Sequence, residues 1–388
     1  MSSPLVSNLP NKNIADAKAR VMIVDDSAVF RGLVSQWLID EGLDVIARHA
    51  NGDLAVKNIS TNNPDIVILD IEMPVMDGLT ALPKLLKCCP NVKIIMASTL
   101  TRRNAEVSLK ALSLGAVDYI PKPETNRGIT TSVSFRQDLV AKIFALSGAP
   151  QTKQKKSETV RPVKPVLKSV EKFTAPINKP AVQQGKIVLR PFSKVPPRIV
   201  AIGSSTGGPQ ALMGLMKEIG PGVLNVPVVI TQHMPPTFTT ILAEHLTTAI
   251  GRPVKEGEHG EEVKAGGVYV APGQKHMLLE ARQGKNYIIL DDGPPVNFCK
   301  PAVDPMFACV SKLYKAAVLS LVLTGMGQDG AVGAGQIADA GGSVLAQDEA
   351  SSVVWGMPGA TAHMGNASAV LPLDRIGQKV INLVKGGS

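Results

Sequence analysis

The chain reads as two α/β domains. The first is a five-stranded parallel sheet with helices on both faces, and the second is a doubly wound, mostly parallel sheet. Three observations predict this. Short apolar runs alternate with helical patterns through residues 19–147. The alternation resumes through residues 198–385. Between the two blocks lies a stretch with seven prolines from Pro162 to Pro197 and no sustained period, which denies it helix and sheet pairing. At 388 residues, 44% hydrophobic and 19% charged, the chain can bury two cores, and wholesale disorder is excluded. The reading is therefore a flexible tail over 1–18, a domain over 19–147, a linker over 148–197 and a domain over 198–385.

The net charge of +9 suggests nucleic acid until it is located. Nine Lys and three Arg against two Glu between Gln151 and Arg198 put +10 on the linker, so the rest of the chain carries −1. The folded domains therefore offer no basic footprint, and no nucleic-acid partner is expected. No apolar run approaches the roughly 18 residues of a membrane span, and MSSPLVSNLPNKNIADAKAR has no secretory core, so neither membrane insertion nor export is expected. The four cysteines (Cys88, Cys89, Cys299 and Cys309) form no CxxC pair, which fits a reduced cytoplasmic compartment.

In the front block, RVMIVDD is an apolar run closed by two acids, followed by a helical pattern from Ser27 to Asp40. DVIARHA, a second helix, DIVILDI, a helix around Leu79–Lys87, KIIMAS, a helix near Ala105–Leu114, DYIPKP and a helix near Phe135–Leu146 complete it. Ligands of such sheets sit at the carboxyl ends of strands. Asp25 and Asp26, Asp70, Ser98 and Lys122 all fall there. Three carboxylates at one edge repel unless a divalent cation lies among them, and oxygen donors suit Mg²⁺. The cation and Lys122 would neutralise a phosphoryl group arriving on one carboxylate, and Ser98 would donate to it.

VDDS, LDIEMPVMDG, the Ser98–Thr99 position and GAVDYIPKP together resemble the flavodoxin-like receiver domain of two-component response regulators. The resemblance implies that Asp70 accepts the phosphoryl group. It implies that Asp25, Asp26, Asp70 and the backbone carbonyl of Glu72 hold Mg²⁺. Ser98 and Tyr119 would take the switch positions, and Lys122 would pair with the phosphoryl group.

The back block opens with PRIVAIGSSTGGPQAL, a strand running through a Gly-rich turn into a helix. One reading is a phosphate cradle, but G-x-G-x-x-G and the P-loop Lys are absent. The other is G-x-S-x-G centred on Ser205, a hydroxyl presented on a tight turn. A nucleophilic serine needs a base and an orienter. His233 follows VPVVITQ and Asp329 lies in the Gly-rich loop after VLSLVLTG, so all three would meet at one sheet edge. VYVAP, YIILDDG and GSVLAQDE read as further strands. His276 also follows a strand and is the rival base. Asp291, Asp292, Asp304 and Asp348 are rival acids. His49, His245 and His363 lack such context, and His259 sits in a charged loop.

AIGSSTGGPQAL, TQHMPPTFT, APGQKHM, DGPPVN, LTGMGQDGA and AQDEASSVVWGMPGA resemble, in the same order, the catalytic domain of chemotaxis protein-glutamate methylesterases. The resemblance implies Ser205 as nucleophile, His233 as base, Asp329 as orienter, and the Thr206 and Met326 amides as oxyanion hole. It also implies hydrolysis of glutamate γ-methyl esters on chemoreceptors, and deamidation of specific glutamines, to give sensory adaptation. The phosphodonor would be the chemotaxis histidine kinase, and the unphosphorylated receiver would block the site. No cofactor is implied for the ester chemistry. One departure stands out: the family often carries Arg and His after DGPPVN, whereas Phe298 and Cys299 stand here. Two other classes compete: a DNA-binding regulator, which lacks a helix-turn-helix unit, and a nucleotide-binding module, which lacks a ribose-binding acid after the second strand.

Overall fold

The computed structural model describes residues 18–123, 133–148, 187–220, 222 and 225–386. The tail, and most of the basic linker, lie outside the described residues.

The front unit runs β1 (Arg20–Val24), α1 (Ala28–Asp40), β2 (Asp44–His49), α2 (Gly52–Asn62), β3 (Ile66–Asp70), α3 (Gly78–Cys88), β4 (Lys93–Thr99), α4 (Arg102–Ser113), β5 (Asp118–Lys122) and α5 (Val133–Ser147). The strand order is β2-β1-β3-β4-β5 and every pairing is parallel. Helices cover both faces, so β3 is buried throughout and reads as an unbroken apolar run ending in Asp70. Ser27, Asn51, Asp77 and Thr101 cap the helices that leave this edge, each accepting from a backbone amide three residues on.

The back unit runs β6 (Ile199–Ser204), α6 (Gly208–Ile219), β7 (Val228–Gln232), α7 (Phe238–Ile250), β8 (Lys255–Glu256), β9 (Val268–Val270), β10 (His276–Arg282), β11 (Lys285–Asp291), α8 (Val303–Tyr314), β12 (Val318–Val322), α9 (Ala331–Asp339), β13 (Ser343–Gln347), α10 (Met357–His363), β14 (Ala369–Leu371) and α11 (Leu373–Val384). Seven strands form one parallel sheet in the order β14-β13-β12-β6-β7-β9-β8. YIILDDG forms a strand but not in this sheet: β11 pairs antiparallel with β10 as a separate hairpin.

Residues 187–197, assigned above to the linker on composition, lie on the back unit. Arg190 donates its amide to Ala367 O at 2.8 Å and its guanidinium to Gly365 O at 3.0 Å. Ser193 N bonds to Ser343 Oγ at 2.9 Å, and Lys379 stands over the Phe192 ring at 4.2 Å. Proline removes ladder pairing but not these isolated bonds, so the segment is held without a helix or strand of its own.

Candidate active site

In the back sheet the order of strand addition reverses between β6 and its parallel neighbour β12, so a crevice opens at the carboxyl ends of these strands. Ser205 follows β6, Asp329 lies in the loop after β12, and His233 follows β7, so all three stand on this edge. The serine turn is closed by Gly208 N to Ser205 O at 2.7 Å. Its third position is Gly207 with φ +76°, a conformation glycine takes without strain.

His233 Nε2 is 2.7 Å from Asp329 Oδ2. That leaves Nδ1 to receive a proton from a nucleophile. In this structure Nδ1 faces Cys299 Sγ at 3.4 Å, and among the described residues Ser205 Oγ makes no hydrogen bond. Asp329 is 2% exposed and saturated with donors: Val303 N at 2.6 Å on Oδ2, and Asn297 Nδ2, Asp304 N and Gly330 N on Oδ1. Burial by itself would pull the imidazole pKa down. The bonds to Asp329 and then Cys299 outweigh it, so His233 is held above its ordinary 6.5. Burial opposes the Asp329 charge, but the bond to His233, its positive charge and the backbone amides win, and the carboxyl is held low.

A raised His233 pKa means the neutral base is scarce at neutral pH. Hydrolysis through Ser205 is therefore expected to rise with pH, with a midpoint above 6.5. Cys299→Ala removes one of the bonds that favour the imidazolium, so the midpoint moves down; a pH–rate profile of both proteins checks this. The sign for stability is the reverse: what the imidazolium contributes to the fold is complete below 6.5 and lost as pH rises through the folded value.

The rival groups have other partners. His276 is 2% exposed and bonds Pro294 O at 3.1 Å and Ala302 N at 3.2 Å. His259 accepts from Leu290 N, His363 bonds Gly359 O and His49 faces Asn62. His245 lies within α7. Asp304 bonds Gly333 N and Asn297, and burial pushes its carboxyl up to about 6. Asp292 pairs with Lys275 and Lys300, Asp348 caps Ser351, and Asp291 accepts from Gly293 N.

Three supports were missed from sequence. Gln232 accepts from Ser204 Oγ at 2.7 Å and donates to Ser205 O at 2.9 Å, bracing the serine turn from β7. Thr324 accepts Ser205 N at its carbonyl and donates its hydroxyl to Thr206 O at 2.9 Å. Asn297 bridges Asp329 and Asp304. Only the polar residue beside each motif hinted at them. The amides of Thr206 and Met326 donate to no group among the described residues, which leaves them available to an oxyanion.

On the front unit, Asp25, Asp26 and Asp70 bring ligand oxygens within 4.8 Å of one another at the β1/β3 reversal. Asp25 Oδ2 is buried without a hydrogen bond, its neighbour being the Lys122 ammonium at 2.5 Å. Lys122 also reaches Asp70 Oδ1 at 2.7 Å. Burial, with Asp25 adding to it, raises the Asp70 carboxyl to about 6 against the pull of Lys122. A set of hard carboxylate oxygen donors lying this close together fits Mg²⁺. Glu72 follows Asp70 by two residues. Ser98 Oγ is turned to Ser108 Oγ at 2.9 Å, and Tyr119 is buried.

The two units touch along this same face. Tyr119 stacks on Phe238 with ring centroids 4.4 Å apart and planes 8° apart. Asp118 accepts from Lys142 at 2.5 Å and from Thr206 Oγ1 at 2.8 Å, so a front-unit carboxylate is bonded to the residue after Ser205. Gln210 donates to Ala116 O at 2.9 Å and to Leu112 O, and Arg102 pairs with Glu244. Met326, Val353 and Val354 pack against the cluster that includes Phe135, Leu139 and Ile143. Among the described residues no helix is long and apolar enough to cross a membrane.

Comparison with known proteins matches residues 21–134 to the response regulator receiver domain and residues 200–380 to the CheB methylesterase domain. A protein-glutamate methylesterase/protein-glutamine glutaminase of Rhodopseudomonas palustris (strain BisB5) is 52% identical over 387 residues, covering 100% of this chain and 99% of that one. One from Paramagnetospirillum magneticum is 50% identical over 368 residues, covering 94% and 96%. Among solved structures, the Thermotoga maritima CheB methylesterase catalytic domain is 44% identical, covers 49% of this chain and all of its own, and has a TM-score of 0.47.

Proposed function

The chain belongs to the protein-glutamate methylesterase/protein-glutamine glutaminase family, and from that premise we propose that it removes methyl groups from chemoreceptor glutamates, and deamidates specific glutamines, under control of its receiver domain. The observation that carries this reading is the His233–Asp329 pair on the sheet edge that presents Ser205, with the receiver's Asp118 bonded to Thr206.

In the proposed mechanism Ser205 Oγ attacks the ester carbonyl and passes its proton to His233 Nδ1, the nitrogen not held by Asp329. Cys299 must yield that nitrogen to the serine. Asp329 stabilises the imidazolium, and the amides of Thr206 and Met326 receive the oxyanion. Nδ1 returns the proton to the departing methoxide, and methanol leaves. Water, deprotonated by the same nitrogen, cleaves the acyl-enzyme to the receptor glutamate and free Ser205. With glutamine, ammonia leaves in place of methanol. Each turnover adds a negative charge to the receptor helices.

Control rests on Asp70. Its carboxylate oxygen would attack the phosphoryl group of the chemotaxis histidine kinase, with Lys122 Nζ beside the arriving charge. Asp25, Asp26, Asp70 and the Glu72 carbonyl would hold Mg²⁺, which supplies charge neutralisation at that group. Ser98 leaving Ser108 for the phosphoryl oxygens would shift β4 and α4, and Tyr119 with them. Tyr119 and Asp118 are the residues that grip Phe238 and Thr206, so the same movement releases the catalytic face.

Methanol release from methyl-labelled receptor membranes tests this. Wild type is expected to respond to a small-molecule phosphodonor with Mg²⁺ by on the order of tenfold, and Asp70→Asn by nothing. A full response in Asp70→Asn would overturn the acceptor assignment. No release from any sample, for methyl esters and glutamines alike, would overturn the esterase reading.

A further inference from the structure

We propose that Phe298 anchors the substrate, its ring packing against an apolar side chain that neighbours the scissile glutamate on the substrate helix. The inference rests on the esterase reading and adds how the rim of the site selects what approaches it.

Phe298 is 103% exposed, the most exposed large hydrophobic side chain among the described residues. Isolated exposed apolar residues are ordinary, so exposure alone decides nothing. Position and backbone decide it. Val296 and Cys299 exchange both backbone hydrogen bonds, at 3.1 and 2.8 Å, around a two-residue turn. Asn297 has φ 51° and Phe298 φ 64°. A turn with both central residues left-handed calls for Asn-Gly. Asn297 suits it, but Phe298 stands where glycine belongs, and a bulky aromatic there holds the loop in a sparsely populated conformation.

The turn is fastened to the catalytic pair on both sides. Asn297 Nδ2 is 3.0 Å from Asp329 Oδ1, and Cys299 Sγ is 3.4 Å from His233 Nδ1. The ring therefore projects into solvent from a mount one residue away from each contact to the base and its orienter. The nearby cations are occupied: Lys275 and Lys300 both bind Asp292, at 2.7 and 2.8 Å. Exposed Pro294 and Pro295 precede the turn. This stretch of rim thus offers apolar surface and little free charge.

A helical substrate supplies the complement. When a glutamate ester carbon lies about 3–3.5 Å from Ser205 Oγ, side chains three and four positions away lie about 5–6 Å along the same helix face. Those neighbours meet the rim while the ester enters the crevice. A ring without a polar atom gains from covering an Ala, Val, Leu or Ile neighbour. Beside a carboxylate neighbour it would displace water and return nothing. Phe298 would act on substrate affinity and leave the chemical step alone.

The test compares the full-length protein with Phe298→Ala, Phe298→Gly and Phe298→Leu on two substrates: methylated receptor membranes and a free N-acetylglutamate γ-methyl ester. KM for the receptor is expected to rise about tenfold in Phe298→Ala and Phe298→Gly, with kcat within about twofold and the small ester unaffected. Phe298→Leu should recover most of the receptor affinity. Phe298→Gly should also melt higher, since glycine relaxes the turn, which separates loss of the ring from damage to the fold. Equal losses on both substrates, or unchanged receptor KM in the Ala variant, would overturn the proposal. If wild type cleaves neither substrate, the esterase reading itself fails and the proposal falls with it.

Discussion

Asp329→Asn is expected to lower methanol release by about 10⁴-fold, and Ser205→Ala to bring it to background. The geometry explains why an amide is so poor a replacement. Both carboxylate oxygens of Asp329 already accept backbone amides, Val303 N on one and Asp304 N and Gly330 N on the other. Whichever way an asparagine turns, its NH₂ must face an N–H donor in a position that is 2% exposed. If the NH₂ points toward His233, it meets Nε2 as a donor and fixes the proton on Nδ1. That is the nitrogen required to accept from Ser205, so the base is in the wrong tautomer. If the NH₂ points away, it collides with Asp304 N and Gly330 N. About 5.5 kcal/mol of barrier corresponds to the 10⁴-fold loss. Steady-state release at saturating receptor checks it. A loss under tenfold in Asp329→Asn would remove the residue from the triad.

Gly325→Ala is expected to lower kcat by on the order of 100-fold without unfolding the protein. A Cβ at Gly325 would meet Met357 Sδ, Ser205 Cβ at 2.9 Å and Ser205 N at 3.0 Å. The glycine has no room to retreat, because Gly325 N bonds Val354 O at 3.0 Å and Met357 N bonds Gly325 O at 2.8 Å. Met357 can swing its sulfur aside, so the movement left over falls on Ser205. A nucleophile misplaced by a few tenths of an ångström to one ångström loses its line of attack while substrate binding persists. Overpacking of this kind typically destabilises by about 1–3 kcal/mol, which a two-domain protein of this size survives. Gly214→Ala is the matched control: it lies on α6 with open space where the Cβ would go, so activity should not change. Activity equal to wild type in Gly325→Ala would mean the serine turn is looser than these contacts imply.

Much of this architecture is legible in the chain because parallel strands covered on both faces read as continuous apolar runs. The residues that end such runs sit at one edge of their sheet, which is how Asp25 could be placed with Asp70, and Ser205 with His233, from sequence. Less legible are features fixed by distant loops. Cys299 lies 66 residues from His233 and has no periodic pattern, so its contact with Nδ1 follows only from the fold. Asn297 is invisible as a brace until the turn it occupies is seen beside Asp329. The short strands β8 and β14 carry too few residues to show alternation. Residues 187–197 have linker composition but find partners in Ala367, Gly365 and Ser343, none of them near in sequence. Ser98 lies near the end of β4, as an apolar run closing in a hydroxyl suggests, but its rotamer toward Ser108 depends on a helix that packs there.

The stacked rings of Tyr119 and Phe238 belong to different units, and one contact cannot be loosened for only one of them. If phosphorylation separates the rings and so eases receptor binding, receptor binding must ease phosphorylation by the same factor. At equilibrium, receptor-engaged molecules would then favour the phosphorylated, open arrangement over the one that restores the stack. The phosphorylated fraction would be higher among molecules engaged with a receptor than among those adrift in solution. A single stack shared by the two units would thus couple the population of the activating mark to receptor engagement.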